Sequence, residues 1–247
     1  MHRTPQHAQT RRAVIVCVHG AGGGGWEWGI WARVLGARGY EVIAPDLQPV
    51  SAGIAETRLD DYRDQVAAWC SGVGAPVVLV GASLGGLLAL RVADAVAAAA
   101  LILINPLPPA AASVDGQRRR WPAVVPWARN GTLAQTRRAM GDADDAARLY
   151  AFRRWRDESG AVLEQACAGG AVESVECPVC VFASELDEDV PVATSRALAA
   201  SLAADFEVLP ATTHVGPLLG RDAAVAAERA ADWLAARLPN ERDRAEI

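Results

Sequence analysis

Val77-Val78-Leu79-Val80-Gly81-Ala82-Ser83-Leu84-Gly85-Gly86-Leu87 is a β-branched apolar run, then a Gly-x-Ser-x-Gly pentapeptide, then the opening of a helix-compatible segment. Strand, tight turn and helix in that order form the setting of a nucleophile elbow, where a serine is held with its hydroxyl projecting from a sharp turn. The glycines answer a steric demand, because a side chain at Gly81 or Gly85 would crowd the neighbouring backbone of such a turn. A helix N-terminus at Ser83 also brings the Leu84 N–H, and the positive end of the helix dipole, towards any oxyanion formed on the serine. The same pentapeptide fits an ordinary glycine-rich βα turn capped by a serine, so the rest of the chain has to separate the two.

Outward from this stretch, short β-rich apolar runs recur at 13–18, 41–44, 76–80, 99–104, 178–183 and 206–209. They read as buried strands of a mostly parallel sheet of about six strands. Segments with helical spacing lie between them, at 28–38, 59–70, 84–97, 193–203 and 223–238. This alternation predicts an α/β fold with helices on both faces of the sheet. Residues 106–172 interrupt the rhythm with short helical patterns punctuated by Pro, Gly and Asp, and no strand is expected there. The expected organisation is a flexible leader at 1–12, a core at 13–105 and 173–239, a small helical cap at 106–172 inserted before the acid-bearing strand, and a tail at 240–247.

At 247 residues and 51% hydrophobic composition the chain can bury one substantial core, and a net charge of −5 gives no excess of positive charge for nucleic acid. All 24 basic residues are Arg, which excludes Schiff-base lysines, Ser-Lys dyads and a P-loop lysine. The basic N-terminus leads into too short an apolar run for a signal peptide, and no apolar stretch reaches the roughly 18 residues of a membrane span. A cytoplasmic protein with no membrane contact is the expectation. Five cysteines fit reduced thiols better than a disulfide framework. Cys177 and Cys180 form a CxxC, but with no second pair they read as two core-facing thiols rather than a metal or redox site. No metal or cofactor is called for.

After the first strand comes His19-Gly20-Ala21-Gly22-Gly23-Gly24-Gly25-Trp26, whose unobstructed N–H groups can supply a second oxyanion donor, Ala21, opposite Leu84. A dinucleotide loop is the competing reading, but its spacing is poor and Asp46 stands beyond the second strand, a weak substitute for the ribose-binding acid. Of four histidines, His2 and His7 lie in the leader and His19 opens the glycine loop in a structural role. His214, after the last strand run, is left as the general base. The acid is expected between Ser83 and His214, in Glu185-Leu186-Asp187-Glu188-Asp189-Val190-Pro191. Asp187 is the first choice, Asp189 the second and Glu185 the third. Trp26, Trp28, Trp121, Trp127 and Trp155 are candidate walls of a substrate pocket, or else simply pack the insertion onto the core.

HGAGGGGW, GASLGG, the DEDVP loop and a late histidine, in this order, resemble the α/β-hydrolase superfamily from Ala13 to near Leu238. The glycine loop with Trp26 and Trp28 resembles the small branch of plant methylesterases and hydroxynitrile lyases. That resemblance implies a Ser83, His214 and Asp187 triad, oxyanion donors at Ala21 and Leu84, and a helical cap. The lyases carry a Thr after the loop His and a Lys after the catalytic His, where this chain has Gly20 and Val215, so cyanohydrin cleavage is disfavoured. Dehalogenases and epoxide hydrolases place an Asp at the elbow, and dienelactone hydrolases a Cys, against Ser83 here. The expected activity is hydrolysis of a small-molecule carboxylic ester, thioester or lactone. The alternatives are a lyase or cyclase using the same triad, and a ligand-binding protein on a hydrolase scaffold. Oligomeric state is not legible in the sequence.

Overall fold

A computed structural model describes residues 13–109, 120–168 and 175–238. The leader with His2 and His7, the tail, and parts of the insertion lie outside the described residues. Six strands form one parallel sheet: β1 (Val14–Val18), β2 (Glu41–Ile43), β3 (Val77–Ala82), β4 (Ala100–Ile104), β7 (Val179–Ser184) and β8 (Asp205–Leu209), in the order β2-β1-β3-β4-β7-β8. Every pairing in it is parallel.

The alternation of strand side chains divides the core in two. Val16, Val18, Leu79, Leu101, Leu103 and Val181 face a layer that includes α2 (Leu59–Cys70), α3 (Leu84–Val92), α7 (Gly160–Ala168) and α8 (Val192–Ser201). Ile15, Cys17, Val78, Val80, Ile102, Cys180 and Phe182 face α1 (Gly29–Ala37) and α10 (Ala223–Arg237). Cover on both faces is why these strands read as continuous apolar runs, and each fully buried Leu, Ile or Phe contributes about 1.5–3 kcal/mol. In α10 the buried Ala223, Ala226, Ala227, Ala230, Ala231 and Leu234 fall at helical spacing on one side. The expected helix at 84–97 stops at Val92, because Ala97 takes a φ of 49° and its N–H bonds back to Asp94 O. An alanine-rich stretch carries no stop signal that would have shown this.

The insertion holds α4 (Trp127–Asn130), α5 (Leu133–Ala139) and α6 (Asp145–Phe152). It also holds a small antiparallel pair, β5 (Val124–Val125) with β6 (Glu158–Ser159), where no strand was expected. Two-residue strands are too short to leave a period in the sequence. Helix α7 lies within 106–172 by number, yet Val162 and Ala166 join the core layer beside α2. Between β8 and α10 comes α9 (Gly216–Leu219). No described helix is long and apolar enough to cross a membrane.

The five cysteines are free. Cys177 packs against one core layer and Cys180 lies in the other, so the sheet stands between the two CxxC thiols.

Candidate active site

Ser83 stands between β3 and α3 with φ 53° and ψ −119°. A non-glycine residue there costs about 1–3 kcal/mol, so the surroundings have to impose it. They do so through backbone bonds: Ser83 N–H donates to Ile104 O at 3.0 Å, and Ser83 O accepts from Gly86 and Leu107, each at 3.0 Å. A Cβ on Gly81 would stand 2.3 Å from Gly85 O, and one on Gly85 would stand 2.1 Å from Val18 O. Both positions admit only glycine at this separation of helix, strand and following loop.

Asp187 and His214 follow β7 and β8, so both lie with Ser83 at the C-terminal edge of the sheet. His214 Nδ1 is 2.7 Å from Asp187 Oδ2, and the Asp187 side chain is fully buried. An ionised carboxylate only accepts, which puts the proton on Nδ1 and leaves Nε2 as the basic atom. Asp187 Oδ1 accepts from the N–H groups of Asp189 and Val190 at 2.8 and 2.9 Å. Both oxygens are therefore committed. Burial works to lower the His214 pKa, but the Asp187 hydrogen bond and charge, with Asp189 and Glu27 behind them, outweigh it and raise it above the ordinary value. Asp189 is exposed and donates its N–H to Asp187, while Glu185 accepts from Ala211 N–H at 2.8 Å. Ligand atoms of Asp187, Asp189 and His214 lie within 4.8 Å of one another. With the Asp187 oxygens already taken, that grouping is poorly suited to a metal ion.

Buried Asn105 was not picked out from the sequence. Its Nδ2 donates to His214 O and to Ser184 Oγ, both at 2.8 Å, and its Oδ1 accepts from Ser184 N–H at 2.7 Å. It takes φ 45° directly after β4 and so ties the ends of β4 and β7 to the backbone at His214. A polar Asn closing the run Leu101-Ile102-Leu103-Ile104 is the one trace of this role in the sequence, since Asn tolerates that conformation and can bond backbone on both sides.

The glycine loop runs past the elbow, and a Cβ on Gly20 would stand 3.3 Å from Ser83 Cβ. Buried His19 donates from Nδ1 to Gly20 O at 2.8 Å and accepts at Nε2 from Leu47 N–H at 2.9 Å. Burial pushes its pKa down to about 4, so it stays neutral and holds the loop. Among the described residues no hydrogen-bond partner is found for the N–H groups of Ala21 or Leu84. Asp46 accepts from Gly25 N–H at 2.7 Å and lies 3.6 Å from Arg156, so it braces the loop. Glu27 is buried, accepts from Gly24 N–H at 3.2 Å, and is pushed up to about 8, chiefly by burial.

The five tryptophans part company. Trp28, 1% exposed, packs edge-on against Trp31 in the core. Trp26 meets Tyr150 and Trp155 edge-on at 5.7 and 5.3 Å, joining the glycine loop to the insertion. Trp121 and Trp127 pair at 6.3 Å, and the Trp127 ring is 2.5 Å from where a Cβ on Gly22 would be. Arg156 and Glu158, which also hold this loop, left no motif by which the sequence could single them out.

Residues 15–228 match the sequence profile of the alpha/beta hydrolase family. Among solved structures, a monoacylglycerol lipase from Paleococcus ferrophilus superposes with a TM-score of 0.70 at 19% identity, covering 92% of this chain and 95% of that one. A pyrethroid hydrolase from Sphingobium faniae gives 0.68 at 21% identity, over 94% and 99%. The methylesterase protein MES16 from Arabidopsis gives 0.68 at 17% identity, over 90% and 100%. No curated protein matches the sequence significantly. With the profile spanning the sheet from β1 into α10 and the same fold recurring in these structures, the chain belongs to the alpha/beta hydrolase family.

Proposed function

We propose that this protein is a serine hydrolase that cleaves a small carboxylic ester, thioester or lactone through an acyl-enzyme on Ser83. The observation that carries the reading is the Asp187–His214 hydrogen bond of 2.7 Å at the sheet edge that also bears Ser83 in its left-handed turn. A strained serine is not something folding requires, and a histidine held by a buried carboxylate is the partner that activates one.

In the proposed reaction Ser83 Oγ bonds to the acyl carbon and its proton passes to His214 Nε2. The carbonyl electrons move onto oxygen, which the Ala21 and Leu84 N–H groups stabilise. Collapse breaks the bond to the alkoxide or thiolate, which takes the proton from His214. Water then adds to the acyl-enzyme with His214 again accepting a proton, and the carboxylic acid leaves as Ser83 is restored. Asp187 fixes the ring and stabilises its cation throughout.

The test pairs hydrolysis of short-chain p-nitrophenyl esters, thioesters and lactones with covalent labelling by a fluorophosphonate, in wild type and Ser83→Ala. Turnover and labelling that both disappear in Ser83→Ala are the expected result. Labelling of Ser83 without turnover of any acyl substrate would favour the lyase reading. Absence of labelling would leave a binding protein on this scaffold.

A further inference from the structure

We infer that Arg156 and Glu158 of the cap are positioning residues for the glycine loop, and that the oxyanion donor at Ala21 is aligned from the cap and not from the core alone. The inference rests on the serine hydrolase reading. Gly22 is gripped on both sides of its backbone: its N–H donates to Glu158 Oε2 at 3.0 Å, and its O accepts from Arg156 N–H at 2.7 Å. The Gly22 N–H belongs to the peptide unit that begins at Ala21, so holding it fixes the plane next to the proposed donor. Arg156 continues the grip, with Nε donating to Gly23 O at 2.7 Å and Nη2 to Leu47 O at 3.0 Å.

Glu158 is itself over-determined. It is 3% exposed, and its Oε1 accepts from Tyr62 Oη at 3.0 Å and from Ser159 N–H at 2.8 Å. Three donors converge on one buried carboxylate, an arrangement that fixes its position. Its strand is anchored in turn by the β5–β6 pairing. Gly22 to Gly25 have little stiffness of their own, yet an oxyanion donor is effective only when its N–H is aimed within a few tenths of an ångström. External bracing supplies what the glycines lack. The carboxylate also takes up the Gly22 N–H, so that group is not available to the oxyanion and the Ala21 N–H is.

The experiment compares Glu158→Gln and Arg156→Lys with Tyr62→Phe, which removes another bond to the same carboxylate without touching the loop. Each is read by kcat, KM, Tm and amide exchange at residues 20–25. Glu158→Gln should lower kcat by about 10–100-fold with KM within about threefold, and Arg156→Lys by about tenfold, as misaligned oxyanion donors do. Both should speed exchange at 20–25. Tyr62→Phe should lose comparable Tm while kcat stays within about twofold. If Tyr62→Phe and Glu158→Gln lower kcat alike, or exchange at 20–25 is unchanged in both loop variants, the positioning role is overturned. Should wild type turn over no acyl substrate and take no label, the hydrolase reading fails, and the exchange comparison still decides whether the cap braces the loop.

Discussion

In the sheet core, Ile15, Val80, Ile102 and Phe182 are held by apolar neighbours on a regular ladder, and no single polar contact decides their place. The insertion between β4 and β7 is attached differently. Besides its aromatic contacts it meets the core through polar bonds to the two loops that bear the proposed chemistry. Arg156 and Glu158 bind the glycine loop, while the Thr213 hydroxyl, beside His214, donates to Asp142 Oδ1 at 2.5 Å with Ala139 O also 2.9 Å away. Dispersion and burial are non-directional and tolerate small shifts, whereas hydrogen bonds fix direction. Damage to the core is therefore expected to appear as lost stability, and damage to the insertion's polar contacts as lost rate.

The largest expected effect tests the acid. Asp187→Asn should lower kcat by about 10⁴-fold, because the ring loses its proper tautomer and its counter-charge. Asp189→Asn should keep kcat within about tenfold. It should also move the acid limb of the rate profile to lower pH, since Asp189 helps to raise the His214 pKa and the neutral base then persists further into acid. Equal losses in the two variants would break the assignment. A core prediction comes next: Gly85→Ala should cost about 3 kcal/mol or more, read from the urea midpoint, because its Cβ meets Val18 O at 2.1 Å.

Glu27 sharpens the contrast through pH. In the fold it keeps its proton to about pH 8, against an ordinary carboxyl value of 4.5 when unfolded. As pH rises between those values the unfolded chain releases the proton first, so this carboxyl makes the fold progressively less stable. Glu27→Gln should therefore raise Tm more at pH 8 than at pH 5, and an equal gap at both would contradict the burial argument. The smallest effect belongs to the insertion alone: Thr132 caps α5 by accepting from Gln135 N–H at 3.2 Å, and Thr132→Ala should cost about 1 kcal/mol locally, with kcat unchanged.

Strand runs, the elbow at Ser83 and the late His214 could all be read from the chain, because each depends on near neighbours: alternation of period two, glycines flanking a serine, a histidine just past an apolar run. Asn105, Glu27, Arg156 and Glu158 could not. Arg156 and Gly23 are 133 residues apart, and Gly22 and Glu158 are 136. The β5–β6 pair and the core placement of Trp28 escaped for the same reason. The sequence pattern already ranks Asp187 above Asp189, and the fold adds that Asp187 Oδ2 lies 2.7 Å from His214 Nδ1 while Asp189 is exposed. Local pattern determines an element and the turn that ends it, because backbone sterics and side-chain periodicity act over a few residues. Which buried polar group meets which is settled only when distant segments are packed together, because a hydrogen bond depends on direction and distance in space and leaves no period in the chain.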